Sequence, residues 1–323
     1  MPGQWRALRR RLLTPNMSEA TFATRGFRVG DPRSRDLLES IGHTFLTGFG
    51  YAAQATGAAD AATRLDTVEK PLRGFAYEGA AMCFAILDAV TPGRVRRVGE
   101  LLAGGGSRHV YMVHVGIGWA MARLPRPLWR RIHQADPLLG WLALDGYGFH
   151  QAYFRTDRYV RRQERDAVPG WPSHAAARVF DQGVGRALWF VEGADVGRVV
   201  ATIEGFDRAR RADLYAGTGL AATYAGGVGR TELQALRDKA GDHAPHLAQG
   251  SAFAAEARVH AGLDTAHTAL ATDVFCGMAP GAAAAVTDRA RVDLPGADAA
   301  GAATPYETWK RRIATEFASI GRR

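Results

Sequence analysis

The segment Leu142–Phe154, LALDGYGFHQAYF, holds the densest group of residues able to do chemistry. Read as a helix, it sets Asp145, Phe149 and Ala152 on one face, with Tyr153 two turns on and His150 and Gln151 beside it. A carboxyl enclosed by Trp141, Tyr147, Phe149 and Tyr153 loses hydration, so its pKa rises and it keeps a proton to donate. Such an acid could protonate an alkene, and aromatic faces stabilise the resulting cation. The same residues also admit a plainer reading, in which Asp145 bonds a neighbouring helix and the rings fill a core.

The glycine after Asp145 opens a signature that recurs seven times: a glycine, a spacer, a second small residue, then usually a bulky apolar one. The copies begin at Gly48, Gly79, Gly116, Gly146, Gly183, Gly217 and Gly250, in steps of 31, 37, 30, 37, 34 and 33 residues. That period is the length of one helical hairpin, so the copies read as stacked repeats. Glycine inside a helix costs about 1 kcal/mol against alanine, and its repeated use at one register predicts close helix approach. Glu78, Asp145, Gln182 and Gln249 stand directly before their glycines, and Asp181 stands one place further back. If this register faces a concave wall, these groups share a lining with Tyr77, Trp119, Tyr147, Phe149, Trp189 and Tyr215. Otherwise they stitch adjacent helices together. Asp145, Asp181, Glu78 and His150 are the candidate catalytic groups.

These residues need helices to position them. Each repeat reads as a long helix carrying the signature and a shorter, more polar return helix. Residues 211–225 form a long helix stopped by Gly226-Gly227. Thr231 caps the short helix ELQALRDKA, which ends at Gly241, and Pro245 sets the next long one. Upstream, a short helix is expected around Arg94–Leu102 and a long one at His109–Leu124. Pro125 and Pro127 then open LWRRIHQA, and Asp136-Pro137 opens the following long helix. The fold class expected is all-α, with about seven helical-hairpin repeats in a tetratricopeptide-like α-solenoid or an α/α toroid. Residues 1–39 are assigned to a basic arm or cap and 40–280 to the repeats. Residues 281–303 read as a loose last repeat and linker, and Thr304-Pro305 starts a C-terminal capping helix, so that 281–323 form the tail.

The chain has 323 residues and a formal charge of +9, with lysine only at Lys70, Lys239 and Lys310. Its arginine clusters fall at helix edges without interleaved aromatics, which points away from nucleic acid and leaves anionic ligands or acidic partners compatible. Cys83 and Cys276 lie in apolar runs as small hydrophobes. No metal-ligand spacing, nucleophile elbow, phosphate loop or aspartate-rich diphosphate motif occurs, so neither metal nor cofactor is implied. No run reaches the roughly 18 apolar residues of a spanning helix, and a cytoplasmic protein is expected. Trp5, Leu8, Leu12 and Leu13, among four arginines, would dock an N-terminal cap or rest on a membrane or partner surface.

The segments WRALRRRLLTP, SEATFATRGF, RGFAYEGAAM (73–82), HVGIGWAMARL (114–124), DPLLGWLALDGYGFHQAYF (136–154), FDQGVGRALWFVEGAD (180–195) and RADLYAGTGLAATYAGG (211–227) carry a resemblance. The chain resembles the enediyne biosynthesis protein family of bacterial natural-product clusters, over nearly its whole length. The resemblance implies an accessory role: binding, presenting or converting a lipophilic polyene made by an iterative polyketide synthase. That synthase or other pathway proteins are the implied partners. A noncanonical terpene cyclase started by Asp145 or Asp181, and a protein-binding scaffold, are the alternative functions.

Overall fold

The computed structural model describes residues 10–11, 14–93, 95–132, 136–294 and 303–320. Among them there are helices and no strands, and the fold is an all-α helical repeat. The helices used below are α1 (Pro32–Gln54), α2 (Ala58–Leu65), α3 (Lys70–Val90), α4 (Arg97–Ala103), α5 (Val110–Arg123), α6 (Leu142–Phe154) and α7 (Ser173–Val191). They continue with α8 (Val196–Glu204), α9 (Arg208–Tyr224), α10 (Arg230–Ala240), α11 (Ala244–His260), α12 (Ala266–Cys276), α13 (Pro280–Arg291) and α14 (Pro305–Ile320).

The chain divides into two compact units, Met1–Gly26 with Asp36–Tyr147, and Phe27–Arg35 with Gly148–Arg323. The boundary expected at 39/40 falls inside α1, which already begins at Pro32.

In the first unit α3 packs on α5 and α2 on α4. In the second, α9 lies against both α7 and α11, while α8 packs on α10 and α10 on α12. Long helices therefore contact long ones and short helices contact short ones.

Glycine explains how closely the long helices approach. Residues two apart on a helix point about 200° away from each other, so the two small residues of one signature face different neighbours. A Cβ added to Gly79, Gly116, Gly146, Gly217 or Gly250 would collide with the carbonyl oxygen of Phe45, Glu78, Val115, Gln182 or Ala216, each on the preceding long helix. A Cβ on Gly48, Gly118, Gly148, Gly185 or Gly219 would collide with the carbonyl of Ala76, Ala143, Phe180, Leu214 or Leu247, each on the following one. The backward contact always meets the residue one place before the earlier signature. The forward contact always meets the residue three places before the next.

This regularity corrects the first repeat. Gly48 makes the forward contact, so the signature of α1 begins at Leu46 and the first step is 79 − 46 = 33 residues. No long helix precedes α1 among the described residues, which leaves room for leucine at the backward position.

Other expectations shift for local reasons. α10 begins at Arg230 after Gly229, and Thr231 does not cap it. Prolines 125 and 127 limit the next segment to a 3-10 turn, Arg126–Arg131, where the Trp129 indole donates to the carbonyl of Met121 at 2.9 Å. The remainder of LWRRIHQA, His133–Ala135, lies outside the described residues, as do Arg94, Trp5, Leu8, Leu12 and Leu13. The tail is firmer than expected: α13 is a formed helix packed on α11, and α14 packs on both. The expected linker at 295–302 is outside the described residues.

Phe27–Arg35 straps the second unit. The Arg28 amide donates to the Val191 carbonyl at 3.0 Å, and Ser34 Oγ donates to the Gly227 carbonyl at 2.6 Å. The edge of Phe27 meets the face of Tyr153 at 4.8 Å.

Alanine at Gly185 or Gly219 must push two backbones apart, and each substitution is expected to cost about 1–3 kcal/mol in chemical denaturation. Gly281, a helical glycine with nothing within 4 Å, is the control. Alanine there is expected to be neutral or to stabilise by up to about 1 kcal/mol.

Candidate functional site

Each expected site residue is buried. In the first unit, Tyr77 is fully covered, donates from its hydroxyl to Asp66 Oδ1 at 2.9 Å, and stacks on His109 with centroids 3.9 Å apart. Burial, reinforced by Asp66, raises its pKa well above the ordinary phenol value. Trp119 packs on Phe45 at 4.3 Å, and Trp129 sets its edge against Tyr147 at 5.4 Å. Glu78 and Asp145 are buried beside the glycine contacts described above.

In the second unit Phe149 stacks on Tyr153 and meets the edge of Phe190, with the Arg186 guanidinium 5.0 Å from its centroid. His150 lies against Phe154 at 4.6 Å. Trp189 donates its indole N–H to the Gly226 carbonyl at 2.8 Å, fixing the turn that ends α9. Tyr215 donates to Glu204 at 3.0 Å and stacks on His243, and burial raises its pKa. The aromatic set expected to line a wall is thus spent on interhelix packing.

Asp181 also departs from its expected role. Arg165 and Arg210 both donate to its two oxygens, Arg210 Nη2 at 2.6 Å from Oδ1. Both of its oxygens are thus taken up by an ion-pair network that joins α7 to α9. Gln182 donates from Nε2 to the Tyr306 hydroxyl at 3.2 Å. Gln249 is completely buried, and neither polar atom of its amide has a hydrogen-bond partner among the described residues.

An open cleft of 460 Å³ lies elsewhere in the second unit, lined by α7 (Arg178), the first turn of α11 with its preceding turn, and one face of α14. From α14 come Glu307, Lys310, Arg311, Ala314, Thr315 and Ala318, spaced as one stripe along the helix. A capping box fixes its start. Thr304 Oγ1 accepts from the Glu307 amide at 3.2 Å, while Glu307 accepts from the Thr304 amide at 3.1 Å.

Asp213, buried on α9, is the counter-charge of two of the lining residues. It accepts from Lys310 Nζ at 2.8 Å and from Arg178 Nε at 2.9 Å. Burial alone would raise its pKa, but Lys310 and Arg178 outweigh that and hold it below the usual carboxylate range. Glu307 lies 3.6 Å from Arg178 Nη1 and 3.4 Å from His174. Lys310 and Arg178 are therefore already committed.

Arg311, exposed on the rim, forms no ion pair among the described residues, and neither does Asp242 on the other side. His246 makes no hydrogen bond among the described residues. Burial, and then the positive charge of Lys310, push its pKa down to about 4, so the ring is neutral near pH 7.

The arrangement can hold one polar group of a ligand with Arg311, offer it an uncharged imidazole, and cover an apolar part with Pro245, Ala314 and Ala318. Sequence reasoning missed Arg178, Asp213, His246, Lys310 and Arg311. The one available signal was Lys310, a lysine in an arginine-dominated chain on the inner side of an amphipathic helix. No group of three His, Cys, Asp or Glu able to hold a metal exists among the described residues. Cys83 and Cys276 are buried and form no disulfide among the described residues, and burial raises the Cys276 pKa to about 12. No single helix among the described residues is long and apolar enough to cross a membrane.

Fold and cleft define an all-α helical-repeat protein with a charged cleft in its second unit. The chain belongs to the family described as "Protein of unknown function (DUF1702)", whose match runs over residues 4–317. Comparison with curated proteins and with solved structures finds no match.

Asp213→Asn leaves Lys310 and Arg178 without their buried counter-charge, and is expected to cost about 3–5 kcal/mol in urea unfolding. The folded-state pKa of His246 is depressed, so its contribution is complete above the unfolded value of 6.5 and is lost as pH falls toward 4. The His246 ring should accordingly titrate near pH 4 by NMR, and His246→Gln should flatten the stability loss between pH 6.5 and 4.

Proposed function

We propose that the protein serves specialised-metabolite biosynthesis of the enediyne polyketide type, as an accessory protein or enzyme that binds or converts a lipophilic polyene in the cleft between α7, α11 and α14. One observation carries the reading. An uncommitted guanidinium, Arg311, and a neutral imidazole, His246, face a cleft with small apolar walls, which suits an amphipathic molecule with one polar end. The resemblance of the sequence motifs supplies the pathway, and with it a polyketide synthase or other pathway proteins as partners. Two buried cysteines that remain thiols fit a cytoplasmic setting. In that role His246, uncharged at working pH, offers a bound polar group one hydrogen-bond donor and one acceptor.

The test is to incubate the purified protein with a conjugated polyene carboxylic acid and, separately, with prenyl diphosphates, following binding by tryptophan fluorescence and products by mass spectrometry. Saturable binding or alteration of the polyene is expected, with affinity about tenfold weaker in Arg311→Ala, as for loss of one charge-assisted contact. Cyclised products from a prenyl diphosphate, abolished in Asp145→Asn, would replace this reading with a terpene cyclase. Silence from both substrates would leave a protein-binding scaffold.

A further inference from the structure

Gln249 is a buried polar side chain that the fold does not use. It is fully covered, and among the described residues neither its donor nor its acceptor group has a partner. Gln182, at the same place before its signature glycine, spends its Nε2 on Tyr306. An unmet buried amide destabilises the fold, and an apolar side chain of the same shape would avoid that cost.

Its position gives the amide a purpose. Gln249 follows Pro245 by four residues and His246 by three, so it shares their face of α11 one turn further in. Pro245 and His246 both line the cleft. One turn beyond Gln249 on the same face, Phe253 packs on Trp309 at 4.5 Å and on Tyr306 at 6.2 Å. Along α11, Gln249 thus falls behind the cleft-lining first turn and before an aromatic cluster, one turn deeper than the residues that line the cleft. The cleft's charge limits what enters: Asp213 and Glu307 already engage Lys310 and Arg178, which leaves Arg311 for a single negative charge rather than a diphosphate.

We infer that Gln249 is a specificity-determining residue, which reads a neutral hydroxyl or carbonyl oxygen on the chain of a lipophilic carboxylic acid whose charged end rests at Arg311. A ligand hydroxyl accepts from Nε2 and donates to Oε1, meeting both orphan groups at once. The inference rests on the small-molecule role of the cleft proposed above, and it narrows the ligand from a lipophilic chain to an oxygenated acid.

The experiment compares binding of hexadecanoic acid with its 3-, 5- and 7-hydroxy and oxo derivatives by calorimetry, for the wild type and for Gln249→Met. The wild type is expected to favour at least one oxygenated acid about tenfold or more, since a site built to hydrogen-bond an oxygen rejects the analogue that lacks it. Gln249→Met should bind plain hexadecanoic acid as the wild type does, lose the preference, and melt at a higher temperature. Equal wild-type affinity for plain and oxygenated acids would overturn the inference while leaving the cleft's role intact. So would a preference that survives in Gln249→Met, or a lower Tm, which would make the amide a structural group. Failure of the wild type to bind any acid would overturn both readings.

Discussion

The contact between helix backbones at the glycine signature is the constraint from which the rest of the structure follows. Each long helix brings the carbonyl oxygens of its neighbours to positions where no Cβ fits. At that separation side chains cannot interdigitate between the axes, and large residues must go to the flanks of each contact. Tyr77, Trp119, Phe149, Trp189 and Tyr215 fill those flanks, which is why they are buried. The same geometry draws in the residue before each signature. Its carbonyl faces the next helix, so its side chain is carried into the interface whether apolar, as Val115, or polar, as Glu78 and Gln182.

Polar groups forced inside need partners, and the second unit supplies them through charge. Asp181 joins α7 to α9 by way of Arg210, and Asp213 joins α9 to α7 and α14 by way of Arg178 and Lys310. Buried ion pairs add little net stability because desolvation offsets attraction, yet breaking one is costly. Their effect is to fix registry. Lys310 on Asp213 ties α14 to α9, and the capping box at Thr304 fixes where α14 begins, with one stripe turned toward the cleft. The low dielectric and positive surroundings that serve the ion pairs also keep His246 neutral. The stitching of the fold and the chemistry of the cleft thus share residues.

Much of the fold was legible in the chain. The spacing of GxG signatures identified helical repeats, because glycine in a helix is costly enough that its recurrence needs a reason. Proline and glycine marked the ends of α9, α11 and α14 to within a few residues. The register of α1 was misread, since GFGY at Gly48 looks like the others and only its forward contact with Ala76 distinguishes it. The wall of aromatic residues was misplaced for a related reason: periodicity tells which residues share a face, and not whether that face meets solvent or another helix.

By itself the sequence determined the local elements: which segments are helical, where they stop, and which faces come within van der Waals reach of a neighbour. These follow from backbone preference and from the size of single side chains. Only the tertiary structure decided the site. Arg178, Asp213, His246 and Lys310 come from four segments spread over more than a hundred residues, and nothing in their local spacing announces that they meet. Ion pairing is decided in the same way. Asp145 sits directly before a signature glycine and Asp181 one place further back from its own, but the two arginines that bind Asp181 arrive from residues 165 and 210. Electrostatics in a low-dielectric interior depends on distances through space, and those exist only once the helices have packed.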